Sequence, residues 1–274
     1  MKRFLIALTL LLLLLPVMAK ASDDFKVIAG TSLVEDIVND LTDGRATILT
    51  LIPGASCPGH GDTKASDVVF AAHAELAVLP AFQKNLPPVV NLFKAANNDR
   101  LHMEIVDLVG NWMMPPIQRE AIMQISRALI KARPDWVADI EAKKQNRLRR
   151  LEEAERTVQT QLQPLHGMPV IAAKMQADFL AWTGLSVQAT YGGLEEMTPN
   201  TMAALINDNR KKNIVAVIDN LQSGASVGRP LAEELGVSHL VLSNFPGSSS
   251  VAIDYFSLLN ENVEQLLRLR GSQR

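Results

Sequence analysis

No glycine or proline interrupts the chain from Asp135 to Gln163, whereas Pro134 and Pro164 close the segment at either end. Trp136, Val137, Ile140, Leu148, Leu151, Val158 and Leu162 form a broken apolar stripe at helical spacing. Lys143, Lys144, Arg147, Arg149, Arg150, Glu152, Glu153, Glu155 and Arg156 fill most of the remaining surface. A helix of about 28 residues rises roughly 42 Å, the length of a two-lobed molecule. Its mixed charges read as a solvated face rather than a nucleic-acid surface. The helix therefore divides the chain, and each side must build its own sheet.

Both sides alternate between strand and helix patterns. In the first, Phe25–Gly30, Ala46–Ile52, Glu75–Leu79 and Leu101–Val106 read as strands. Between them lie helix-like runs at Leu33–Leu41, Asp67–Ala77 and Gln83–Ala96, the last interrupted by Pro87-Pro88, and Ile117–Ala132 follows as another helix. In the second, Met168–Ala172, Ser186–Tyr191, Ile214–Ile218 and His239–Leu242 read as strands, and helices are expected at Met175–Thr183, Pro199–Asn209, Pro230–Leu235 and Ile253–Leu269. Such alternation marks parallel sheets covered by helices. The expected class is α/β: two lobes, each a mostly parallel sheet flanked by helices, joined by one long linking helix. The expected limits are a signal peptide over 1–21, an N-terminal lobe over 22–134, the linking helix over 135–163 and a C-terminal lobe over 164–274.

The signal peptide rests on Lys2 and Arg3 before the apolar run Phe4–Leu15, with a small-x-small site at Ala19-Lys20-Ala21. That run is too short for an ordinary membrane span. The mature chain is thus expected in a bacterial periplasm. A net charge of −2 without a basic patch points away from nucleic acid. The single cysteine, Cys57, excludes an internal disulfide and leaves a free thiol in an oxidising compartment.

Cys57 sits in Ser56-Cys57-Pro58-Gly59-His60-Gly61-Asp62, after a strand and before a helix capped by Ser66 or Asp67. A thiolate, an imidazole and a carboxylate at the carboxyl end of a strand make a candidate metal or ligand site. One Cys-x-x-His is half such a site, and a Gly/Pro-rich loop with a buried thiol fits the same residues. Of the other histidines, His73, His102 and His166 read as surface, packing or turn residues, and His239 could support the loop at Ser243.

The order of elements, the linking helix, the run Asp62-Thr63-Lys64-Ala65-Ser66-Asp67 and the unit Leu231–Val237 together resemble the periplasmic solute-binding proteins of zinc and manganese ABC importers. The resemblance covers the mature chain. It implies four metal ligands, three His and one Asp or Glu, from four loops between the lobes. His60 falls within one place of the first; the others fall at Gly110, at Ala173 or Lys174, and at Ser243, none a usual ligand. The four loops instead offer Cys57, His60 and Asp62; Asn111 and Trp112; Lys174 and Gln176; and Asn220, Gln222, Ser223, Ser243 and Asn244.

The expected function is therefore capture, for a membrane permease of an ABC importer, of a metal ion or metal chelate, with Cys57, His60 and Asp62 as ligands. Thiolate and imidazole favour Zn²⁺, Cu⁺ or Ni²⁺ over Mn²⁺. A metal-free organic solute held by Asn, Gln and Ser side chains is the alternative. Catalysis by Cys57 lacks an orienting third residue and an oxyanion site, so no enzyme is expected. A monomer is expected.

Overall fold

The computed structural model describes residues 24–56 and 63–273. The path begins β1 (Lys26–Thr31), α1 (Ser32–Thr42), β2 (Thr47–Ile52), α2 (Ala65–His73), β3 (Leu76–Pro80), α3 (Pro87–Ala96), β4 (His102–Val106) and α4 (Pro115–Ala132). The long helix α5 (Val137–Leu162) follows, with a 3-10 turn at each end. The second half runs β5 (Pro169–Ala173), α6 (Ala177–Trp182), β6 (Ser186–Tyr191), α7 (Pro199–Asn209), β7 (Ala216–Asn220), α8 (Arg229–Leu235), β8 (Ser238–Leu242) and α9 (Tyr255–Leu267).

Among the described residues the strands form two four-stranded sheets, ordered β2-β1-β3-β4 and β6-β5-β7-β8. Every pairing is parallel. The expected two-lobed α/β architecture is the observed one. In each sheet the strand order reverses beside the first strand, between β1 and β3 and between β5 and β7. Connections leave such a point in opposite directions, which opens a crevice at the carboxyl ends of the strands. The central strands can sit there because their residues tolerate burial on both faces: β3 and β7 are buried throughout.

The linking helix is held by its apolar stripe. Ile140, Leu151, Val158 and Leu162 are fully or almost fully buried and belong to one core that takes residues from both halves. At about 1.5–3 kcal/mol for each such side chain, these four anchor α5 more firmly than its helix propensity could. Among the described residues, no helix is long and apolar enough to cross a membrane.

Three local expectations need correction. Pro87 and Pro115 do not interrupt or precede helices; each stands in the first turn of one. Proline lacks only an N–H that would be unbonded there, and its fixed φ suits the helix start. Val137 of the apolar stripe is 44% exposed, whereas Arg147, assigned to the solvated face, is 2% exposed. Arg147 lies against α1 and pairs with Asp36 and Asp40. Finally, the strand expected at Ile214–Ile218 runs two residues later, so Asp219 and Asn220 belong to β7 rather than to a loop. A carboxylate can end a buried strand because its oxygens are fully engaged, as the site below shows.

Candidate functional site

A cavity of about 790 Å³ lies between the two sheets at the carboxyl ends of their strands. Thr31 and Pro80 approach it from the ends of β1 and β3, and Asn111 and Trp112 from the loop after β4. Lys174, Asn220, Gln222 and Asn244 reach it from β5, β7 and β8. Leu33, Leu108, Phe82, Met175 and Phe245 give the walls an apolar character.

Carboxamides tie the loops into one network. Asn111 Nδ2 donates to the Met175 carbonyl at 2.8 Å and to Asn244 Oδ1 at 2.9 Å, joining the first half to the second. Beneath them, fully buried Gln176 donates from Nε2 to Asn220 Oδ1 at 3.0 Å and Asn244 Oδ1 at 3.1 Å. Gln222 Nε2 donates to Ser243 Oγ and to the Gly54 carbonyl, both at 2.8 Å, and its Oε1 accepts from the Asn244 N–H at 3.1 Å. Asn262 fixes Ser243 through both its N–H and its carbonyl.

Of the residues singled out in the sequence, Asn111, Trp112, Lys174, Asn220, Gln222, Ser223 and Asn244 are brought together on the cavity. Gln176 and Ser243 are not among its lining residues; each is buried and braces one that is. Cys57, His60 and Asp62 lie outside the described residues, as does the segment 1–21. The root of their loop is described, however. Gly54 packs so tightly on the 246–248 segment that an added Cβ would stand 2.1 Å from the Pro246 carbonyl oxygen and 2.5 Å from the Gly247 carbonyl carbon. Glycine permits that approach because it presents no side chain.

One cluster escaped the sequence reading. Asp219, fully buried at the end of β7, accepts from Tyr191 Oη at 2.7 Å and pairs with His239 Nε2 at 2.7 Å. The Gly228 N–H completes the set, 3.0 and 3.1 Å from the two carboxylate oxygens. Burial, reinforced by Asp219, pushes the Tyr191 hydroxyl far above the ordinary phenol range, so it stays protonated and donates. His239 thus supports Asp219 rather than the Ser243 loop. The available signal was an acidic residue directly after the most apolar strand in the chain.

Among the described residues, no group of three or more His, Cys, Asp or Glu side chains could hold a metal ion. The places where the resemblance expects further ligands, Gly110, Ala173 or Lys174, and Ser243, do fall at or after the carboxyl ends of strands. None of them supplies a usual metal ligand.

A profile of the family described as zinc-uptake complex component A, periplasmic, matches residues 27–268. The chain belongs to that family. Solved structures agree in fold with this zinc-uptake family member. The cadmium-bound periplasmic metal-binding protein of Candidatus Liberibacter asiaticus has a TM-score of 0.75 at 15% identity, covering 89% of this chain and 99% of that one. A ZnuA crystal structure has a TM-score of 0.75 at 19% identity, covering 90% and 99%. A zinc-bound ZnuA deletion mutant has a TM-score of 0.74 at 18% identity, covering 89% and 97%. At such identities the likeness is one of fold. A search of curated proteins found no match. The zinc-uptake family consists of periplasmic, metal-binding components of ABC importers, and it is a transport family rather than an enzyme family.

Proposed function

We propose that this chain captures a metal for an ABC importer in the cleft between its lobes, with Cys57, His60 and Asp62 as the ligands. In this reading residues 1–21 export the chain and are removed after Ala21. Residues 22–134 and 164–274 act as the two lobes, with 135–163 linking them. The loaded monomer presents the cleft to the membrane permease. The observation that carries the reading is the root of the ligand loop: Gly54 is buried against the second half and bonded to Gln222, itself a cavity residue. A loop leaving that point starts beside the cavity. Thiolate and imidazole suit Zn²⁺ first, then Cu⁺ or Ni²⁺.

Titration under reducing conditions tests it. The mature protein should take up about one equivalent of Zn²⁺, Cu⁺ or Ni²⁺, and Cys57→Ala or His60→Ala should abolish uptake. Absence of uptake would sink the reading.

A second reading, a metal-free organic solute, is favoured by the cavity itself. About 790 Å³ lies in the range of small-molecule pockets and far exceeds what a bare ion fills. Stabilisation by organic solutes in the presence of a strong chelator would select it.

A further inference from the structure

The direction of each amide in the cleft is forced, step by step, by backbone groups whose roles are fixed. The Met113 N–H can only donate, and it donates to Asn111 Oδ1. Asn111 therefore turns Nδ2 toward Asn244, whose Oδ1 must accept. Gln176 meets that same Oδ1, so its contacting atom is Nε2, and its second bond makes Asn220 Oδ1 an acceptor too. Both asparagine oxygens are thus committed to protein partners.

The nitrogens are not. Each carboxamide nitrogen carries two protons. Asn111 and Gln176 use both. Asn220 Nδ2 spends one on Ser223 Oγ at 2.8 Å, and Asn244 Nδ2 one on the Met175 carbonyl at 3.2 Å. The other proton of each has no partner among the described residues. Both side chains line the cavity, and so does Lys174, which makes no ion pair among the described residues. The acidic lining residue, Asp178, is solvent-exposed, as Lys174 is. The second half therefore offers the cleft two oriented amide donors and an ammonium against a single carboxylate, a surface richer in donors than in acceptors and suited to a ligand's oxygens.

We infer that the cleft binds a small organic carboxylate, free or wrapped around the metal as its chelator, through Asn220 Nδ2, Asn244 Nδ2 and Lys174 Nζ. This rests on the capture function proposed above and names the chemistry of what is captured. Carboxylate is favoured over phosphate because no arginine is among the lining residues, and arginine is the usual bidentate reader of phosphate.

The test is calorimetry and thermal melting of the mature protein with citrate or malate, each alone and with one equivalent of Zn²⁺. Zn²⁺ alone and inorganic phosphate serve as comparisons. The expected result is that a carboxylate probe binds and raises the melting temperature; whether it needs Zn²⁺ tells a free acid from a chelate. Asn244→Asp and Lys174→Gln should each weaken that binding by roughly tenfold or more. Because Lys174 is exposed, K174Q should melt like the unsubstituted protein without ligand, which separates lost binding from lost folding. Unchanged binding in both variants would overturn the inference, as would binding of phosphate but neither carboxylate. Binding of Zn²⁺ alone with no response to either carboxylate would overturn it while leaving the capture of metal standing. No response to any probe would remove the inference and the capture of Zn²⁺ together.

Discussion

Gln222 Nε2 donates to the carbonyl of Gly54 at 2.8 Å, although the two residues are 168 positions apart. The bond runs from the end of β7 to the loop that follows β2, and so from one lobe to the other. Because Gln222 also holds Ser243 and the Asn244 N–H, one side chain ties the root of the Cys57 loop to the amide network.

Replacing Gln222 with Met keeps much of its volume but leaves the Gly54 carbonyl and the Asn244 N–H without their partner. An unsatisfied buried polar group costs about 1–3 kcal/mol. Q222M should lower stability by that order in urea denaturation, and weaken retention of cargo in equilibrium dialysis.

Gly54→Ala acts on the same contact by bulk. Its methyl would meet backbone atoms of Pro246 and Gly247, which cannot swing aside as a side chain could. Overpacking of this kind costs about 1–3 kcal/mol. The lobes should move apart instead of unfolding, so small-angle scattering should give a larger radius of gyration than the parent while circular dichroism stays the same.

Arg147 joins α5 to Asp36 and Asp40 from a nearly solvent-free position. Removing one partner of a buried pair costs about 3–5 kcal/mol. R147M should lose stability of that order at neutral pH. The pH dependence follows from Asp36, whose carboxyl is held above its ordinary range by burial, with Arg147 opposing the rise. Without Arg147 that opposition goes and the rise grows. The unfolded chain then releases the proton first as pH climbs, so stability falls from near pH 4, the ordinary carboxyl value, up to the raised folded value. The deficit of R147M relative to the parent should therefore shrink on acidification toward pH 4. A deficit that grew on acidification would contradict this assignment.

Tyr191→Phe removes one donor from buried Asp219 and leaves Gly228 and His239 in place. A hydrogen bond to a charged group contributes about 1.5–3 kcal/mol. Y191F should lose stability of that order in chemical denaturation. Cargo affinity should change little, because Tyr191 and Asp219 are not among the residues lining the cavity.

Much of the fold could be read from periodicity. Apolar runs such as Ile214–Ile218 and the glycine- and proline-free run of Asp135–Gln163 carry their structure locally, so the two α/β halves and their link were legible. The loops after the strands were legible as a group for the same reason. What could not be read were the facts created by distant contacts. Arg147 looks like any charged residue of a solvated helix until α1 places two carboxylates beside it. Gln176 and Asn220 are both polar residues near strand ends, yet one lies beneath the cavity and the other lines it. Asp219 became part of a strand because Tyr191, Gly228 and His239 converge on it from three separate elements.

Metal capture in the cleft through Cys57 and His60, as proposed, has a direct readout. Elemental analysis joined to native mass spectrometry, on mature protein purified without added metal, tests it most directly. The expected result is about one equivalent of Zn²⁺, Cu⁺ or Ni²⁺ per chain, lost in Cys57→Ala and in His60→Ala. Metal-free protein, or an equal metal content in both variants, would contradict it.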